Sequence, residues 1–73
     1  MYKGTVVFFS SPKGWGFIRR DDGSPDLFVH HTNINMDGYR KLDPGDQVEF
    51  DIETGPNGKP QAAMVTVLQK AVA

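Results

Sequence analysis

The sequence predicts an all-β protein, a five-stranded antiparallel barrel that is closed or nearly closed. Short runs rich in Val, Ile, Phe and Thr alternate with turns rich in Gly, Pro and Asp, and no run has a convincing helical pattern. A single flat sheet of this size would leave its edges and one face unprotected, so a barrel is the expected architecture. The 73 residues leave room for one domain, which we predict over residues 1–73.

Five strands follow from the positions of these runs. They are expected at residues 3–9, 15–19, 26–30, 47–53 and 61–68. Turn signals are found at residues 10–14, 21–25, 43–46 and 55–60. The segment 32–42 is the least regular, because it is long enough for a helical turn and a loop but contains Gly38 and runs into a Pro-Gly turn.

The alternation of side chains assigns the two faces of the strands, because successive residues of a strand point to opposite sides. The second to fifth strands each gain an apolar inner face, formed by Ile18, Leu27, Val29, Val48, Phe50, Ile52, Ala63, Val65 and Val67. The outer face of the second and third strands then carries Trp15, Phe17, Arg19, Phe28 and His30.

The first strand does not obey this scheme. Strict alternation from an inward Val6 sends Phe8 inward and Phe9 outward, and placing both rings outside requires a bulge. For these two rings, packing in the core or at an edge is about as compatible with the sequence as contact with a ligand. Gly16 lies inward between two large rings, where a missing side chain lets the strand bend or another backbone approach.

The outward rings suggest a binding surface. Fully burying one Phe stabilises a protein by roughly 1.5–3 kcal/mol, so a short chain that leaves several rings in water gives up stability. Flat rings in a row suit stacked nucleic-acid bases, each worth roughly 1–3 kcal/mol and largely independent of base identity. We therefore expect single-stranded nucleic acid as the ligand.

The distribution of charge supports this expectation more than the net charge of −1 does. Residues 1–20 and 54–73 contain only basic charged residues, whereas all nine carboxylates lie in residues 21–53. The two ends of the chain form a modestly basic surface if the fold brings them together. On this surface we expect Lys13, Arg19 and Lys59 to hold phosphates at the periphery of the rings.

Five segments of this chain, in this order and spacing, resemble the cold-shock domain family: residues 4–9 (GTVVFF), 13–18 (KGWGFI), 21–23 (DDG), 26–30 (DLFVH) and 61–63 (QAA). The resemblance implies an OB-fold barrel that binds single-stranded RNA or DNA, with a preference for pyrimidines, and that acts as an RNA chaperone or antiterminator. It also implies roles for individual positions. Central stacking positions of the family are matched by Trp15, Phe17, Phe28 and His30, and peripheral ones by Phe8, Phe9, His31 and Tyr39. Basic positions near the nucleic-acid backbone are matched by Lys13 and Lys59.

Five positions of the chain depart from the family pattern, and two of them, Ser10 in place of a common Asn and His31 in place of a common Phe, make that edge more polar. Phe8 stands where the family usually has Trp, and Trp15 stands where it usually has Phe, so stacking capacity is retained. Val7 replaces a common Lys, which removes one phosphate contact and about 0.7 from the logarithmic salt dependence of binding.

Other functions find less support in the sequence. No Ser/His/acid arrangement or phosphate-binding Gly loop is evident, so we predict neither an enzyme nor a small-molecule substrate nor a cofactor. His30 and His31 are expected to point to opposite sides of a strand with no cysteine beside them, so no metal site is predicted. The alternative is a protein-interaction barrel whose aromatic face docks a peptide or a second copy.

The expected setting is the cytoplasm. The chain has no cysteine, which fits a reducing compartment, and no apolar run of membrane-spanning length, so no membrane partner is predicted. A monomer is expected, and a dimer formed by strand exchange stays open.

Overall fold

The computed structural model describes residues 1–35 and 41–71, and this part of the chain folds almost entirely as β-strands. The strands are β1 (Tyr2–Ser10), β2 (Trp15–Arg20), β3 (Leu27–His30), β4 (Gln47–Thr54) and β5 (Pro60–Gln69). One 3-10 turn, His31–Asn33, follows β3 and begins the segment for which the sequence allowed a helical turn. Each strand begins and ends within two residues of its predicted bounds.

The strands form a closed barrel in the order β1-β2-β3-β5-β4, which confirms the predicted five-stranded barrel. Every neighbouring pair is antiparallel except β3 and β5, which meet in parallel at Phe28 and Gln61. The reason is the odd number of strands, since a ring of five cannot alternate direction at every junction. The barrel is therefore mixed, with a short parallel seam between β3 and β5.

The core lies inside this barrel and is built from the predicted inward residues. Phe50, Ile18, Val29, Val48 and Val65 are among its fully buried side chains. Ile34 and Leu42 also belong to it, whereas Ile52 and Val67 pack against it only partly buried. In β5 the register shifts opposite residues 49–51, Met64 takes φ 53°, and both Ala62 and Ala63 are buried as a result.

A bulge in β1 decides the orientation of its aromatic residues. Val6 pairs with Ile18 and Phe8 pairs with Phe17, so Val7 is an extra residue in β1. Val6 points inward, Val7 and Phe8 are each 45% exposed, and Phe9 returns to the core at 9% exposure. The ring of Phe9 therefore packs inside the barrel and that of Phe8 stays outside, the reverse of strict alternation from Val6, and the binding role of Phe9 stays a prediction.

Gly16 makes room for this arrangement, as its inward position predicted. A Cβ atom at this position would overlap the carbonyl oxygen of Phe8 and lie 2.7 Å from Cα and 2.8 Å from Cδ1 of Phe9. The absent side chain thus lets β1 and the Phe9 ring approach β2 closely.

Asp46 is a buried carboxylate that fastens the end of β5 to the turn before β4. Its Oδ2 accepts hydrogen bonds from Lys70 Nζ at 2.8 Å and from the Asp43 N–H at 3.0 Å. Its Oδ1 accepts a hydrogen bond from the Ala71 N–H at 2.7 Å. Burial of this carboxylate disfavours its charge, but the three hydrogen bonds outweigh burial and hold the pKa of Asp46 below its usual value. The Asp46 carbonyl accepts from the Val6 N–H, so the same residue also supports the start of the β1 bulge.

Candidate nucleic-acid interface

The register of the first three strands gathers the outward rings on one face of the barrel. Trp15 lies directly opposite His30, and Phe17 lies opposite both Phe28 on β3 and Phe8 on β1. We call these five residues the aromatic face. The predicted grouping of rings from β2 and β3 is thus present in the structure, and the bulge adds Phe8 to it.

Three rings of the aromatic face pack around Trp15, with Phe8 and Phe17 edge to face and Phe28 stacked. The Trp15 centroid lies 5.7 Å from that of Phe8, 5.7 Å from that of Phe17 and 6.1 Å from that of Phe28. The Trp15 and Phe17 planes meet at 83°, whereas the Trp15 and Phe28 planes meet at 27°. Such packing fixes the position of each ring while leaving Phe8 45% and Phe17 37% exposed.

The two histidines lie side by side at the end of the aromatic face. Strand β3 ends at His30 and the 3-10 turn begins at His31, so the expected alternation stops there and the two ring centroids are 4.5 Å apart. The expectation that these rings point to opposite sides is therefore wrong. His31 lies over Gly14, where a Cβ atom would come within 2.6 Å of its Cδ2.

His30 is oriented by the turn that follows it. Its Nδ1 lies 3.0 Å from Thr32 Oγ1 and accepts a hydrogen bond from the Thr32 N–H at 3.4 Å. In the neutral ring, acceptance at Nδ1 places the proton on Nε2, which makes Nε2–H a donor for a ligand.

A groove of about 390 Å³ lies beside Phe17 and Phe28, between the β2–β3 turn and the β4–β5 turn. Its remaining walls come from Arg20, Pro25, Asp26, Leu27, Asn57, Lys59, Pro60 and Gln61. Among these residues, Lys59 was predicted from the sequence to hold phosphates. Gln61 is held in place by a hydrogen bond from its Nε2 to Glu53 Oε2 at 2.9 Å. Local sequence patterns do not predict that these walls come together, because the two turns are distant in sequence and meet only at the parallel seam.

Exposed cations surround the aromatic face. Lys13 lies two residues before Trp15 in the sequence, Arg19 lies two residues after Phe17 on β2, and Lys59 lines the groove. All three side chains are exposed. None of the three forms an ion pair with another residue in the described ranges, whereas Arg20 pairs with Asp22 at 2.8 Å. Tyr39, a further candidate from the sequence, lies outside the described residues.

Within residues 1–35 and 41–71, the structure contains no group of three or more His, Cys, Asp or Glu residues arranged to hold a metal ion. That part of the chain also has no helix long and apolar enough to span a membrane.

Comparisons with known proteins agree with this geometry. The family model of the 'Cold-shock' DNA-binding domain matches residues 2–68. Cold shock protein ScoF of Streptomyces coelicolor is 53% identical over 66 residues, which cover 90% of this chain and 97% of that protein. Cold shock-like protein CspD of Escherichia coli is 46% identical over the full length of both chains. The solved structure of Drosophila Unr CSD456 superposes with a TM-score of 0.73 at 30% identity, over 92% of this chain and 26% of that one. The chain therefore belongs to the cold-shock domain family, a family of nucleic-acid-binding domains.

Proposed function

We propose that this protein binds single-stranded RNA or DNA by stacking bases on the aromatic face. The observation that carries the proposal is the set of rings that three strands hold in fixed mutual geometry while their surfaces stay open to solvent. Each stacked base contributes roughly 1–3 kcal/mol, so three or four stacks give useful affinity after the strand has been ordered. His30 and His31 extend the stacking surface at the β3 end.

The surrounding cations complete the proposed interface. Lys13, Arg19 and Lys59 are exposed and free of ion pairs within the described ranges, so they are available to phosphates. Stacking tolerates every base, so a preference and not a strict sequence code is expected, and membership of the cold-shock domain family favours pyrimidine-rich strands. Residues 1–73 act in this proposal as one binding domain, and the proposed role is that of a cytoplasmic RNA chaperone or antiterminator.

Titration with short oligo-thymidylates and oligo-uridylates tests the proposal, with Trp15 fluorescence as the signal. Base stacking on the central ring quenches this fluorescence, and the absence of any quenching or mobility change at micromolar concentrations would contradict the proposal. Binding of proline-rich or strand-forming peptides with little salt dependence would instead favour a protein-interaction surface.

Phe28→Ala and Phe17→Ala locate the binding surface. Each variant removes one stacking ring and is expected to weaken binding by about 1–3 kcal/mol, with a smaller change in folding stability because the rings are partly exposed. Tyr2→Ala is the matched control, since Tyr2 is 46% exposed and stacks on Phe50 away from the aromatic face. Loss of stability with unchanged affinity in the Phe28 and Phe17 variants would show that these rings serve the core.

A further inference from the structure

The outer face of the barrel continues beyond the last row of rings. Phe8, Phe17 and Phe28 form that row, and two residues farther along β2 on the same face lies Arg19. Arg19 is opposite Thr5 on β1, and Thr5 is opposite Gln47 on β4. We call Gln47, Thr5 and Arg19 the polar row.

The polar row presents hydrogen-bond donors to solvent. Gln47 Nε2 donates to Thr5 Oγ1 at 3.1 Å, so the Thr5 hydroxyl hydrogen and the second amide hydrogen of Gln47 stay available. The Arg19 side chain is exposed and has no hydrogen bond or ion pair with another described residue. Its neighbour Arg20 is different, because its guanidinium binds Asp22 and lies 5.1 Å from the centre of the Tyr2 ring.

Carboxylates outnumber cations next to the polar row. Lys3 and Glu49 lie opposite each other one row farther from the rings, and Asp21 follows on the β2 side, where its N–H donates to the Lys3 carbonyl. Neither carboxylate lies within 4.0 Å of the Arg19 guanidinium. Asp26, which is exposed and precedes β3, also forms no ion pair with Arg19, so the Arg19 cation stays available to a phosphate.

We infer that the polar row is a phosphate subsite for the nucleotide that follows the bases stacked on Phe8 and Phe17. Residues two apart on a strand are separated by about 6.6 Å, a distance that one step of an extended nucleic-acid strand spans. Guanidinium groups bind phosphate oxygens in a two-pronged geometry, and the hydroxyl and amide donors of Thr5 and Gln47 add neutral hydrogen bonds. The inference rests on the proposed function, and it lengthens the bound strand by one nucleotide beyond the rings.

A length series of oligo-thymidylates, from about 4 to about 10 nucleotides, tests the subsite over the range of OB-fold site sizes. The same oligomers are titrated against wild type, Arg19→Gln and Thr5→Val. Wild type gains affinity at the step that reaches the polar row, and Arg19→Gln loses about two- to fivefold of that gain. Its logarithmic salt dependence falls by about 0.7 for the long oligomers only. Thr5→Val keeps the branched shape of the side chain but removes the hydroxyl, and it is expected to lose a smaller part of the gain in affinity.

A terminal phosphate gives a second readout that does not depend on oligomer length. The oligomer used is just long enough to cover the rings. A phosphate at one of its ends, 5′ or 3′, is expected to raise its affinity for wild type but not for Arg19→Gln. The matched control is Lys41→Gln, which removes the same charge from an exposed side chain that lies 3.9 Å from Asp43 and has no part in the proposed interface, and which keeps both effects.

The outcomes separate this inference from the function on which it rests. If long oligomers and terminal phosphates keep their advantage in Arg19→Gln, the subsite is wrong while base stacking stands. If no oligomer binds wild type, both the subsite and the proposed function are wrong.

Discussion

Substitution of the buried Asp46 by Asn is nearly isosteric but is expected to destabilise this fold strongly. Asn can still accept the hydrogen bond of the Ala71 N–H, but its amide nitrogen then faces the Asp43 N–H and the Lys70 ammonium, both of which are donors. Two hydrogen bonds to a charged acceptor are lost, each worth about 1.5–3 kcal/mol. Because the Lys70 side chain is 55% exposed and can turn to water, we place the total at about 2–4 kcal/mol.

This loss is large for a chain of 73 residues, whose expected unfolding free energy is about 4–11 kcal/mol. Urea unfolding followed by circular dichroism measures the loss of unfolding free energy. The two proteins need equal slopes of unfolding free energy against urea concentration for a two-state comparison. Asp43→Asn is the matched control, because the Asp43 carboxylate also binds Lys70, at 3.0 Å, but is 47% exposed. This substitution should lower the free energy of unfolding by less than about 1 kcal/mol. If Asp46→Asn costs no more than this control, the carboxylate does not fasten the barrel and the reasoning fails.

Two further predictions concern the same barrel. Gly16→Ala should lower the free energy of unfolding by about 1–3 kcal/mol, because the new methyl group meets backbone atoms of β1, and an unchanged urea midpoint would contradict that contact. The pKa of Asp46 is lower in the folded protein than the unfolded value of about 3.9, so its stabilisation is present above that pH and is lost as the pH falls through the folded pKa. Between about pH 5 and pH 2, wild type should therefore lose more stability than Asp46→Asn, and parallel profiles of the two proteins would refute this.

The strands and their faces were predictable because burial leaves a period-two pattern in the sequence. Ile18, Leu27 and Val29 alternate with outward rings, and a slip of one residue would expose all three. A closed ring of five strands requires at least one parallel junction, but counting strands does not identify β3 and β5 as the pair that forms it. This period-two pattern cannot show where an extra residue, such as Val7 in the β1 bulge, is inserted into an apolar run. Residues 6–9 are Val, Val, Phe and Phe, so no polar side chain marks which of them faces water.

Contacts between distant segments account for the other differences. In the sequence, Asp46 looks like any other carboxylate of a turn. It is buried only because Lys70 and Ala71, which lie 24 and 25 positions later in the chain, pack over it. The groove beside Phe28 is likewise made by two turns that meet at the seam. The His31 ring lies beside that of His30 because β3 ends at His30 and His31 already belongs to the 3-10 turn, where side chains no longer alternate. Each case depends on tertiary structure that local periodicity does not encode.

The odd strand count has a consequence for how the protein tolerates change. The aromatic face is carried entirely by β1, β2 and β3, a meander whose rings are spaced by direct cross-strand pairing. The β4–β5 hairpin meets this meander along β1 and at the single parallel pair Phe28–Gln61. The distances between Trp15, Phe17 and Phe28 are therefore set by pairing within the meander and do not pass through that short seam. Exposed positions of the β4–β5 hairpin can differ in sequence without changing the spacing of the rings, whereas its buried residues Val48, Phe50 and Val65 still complete the core.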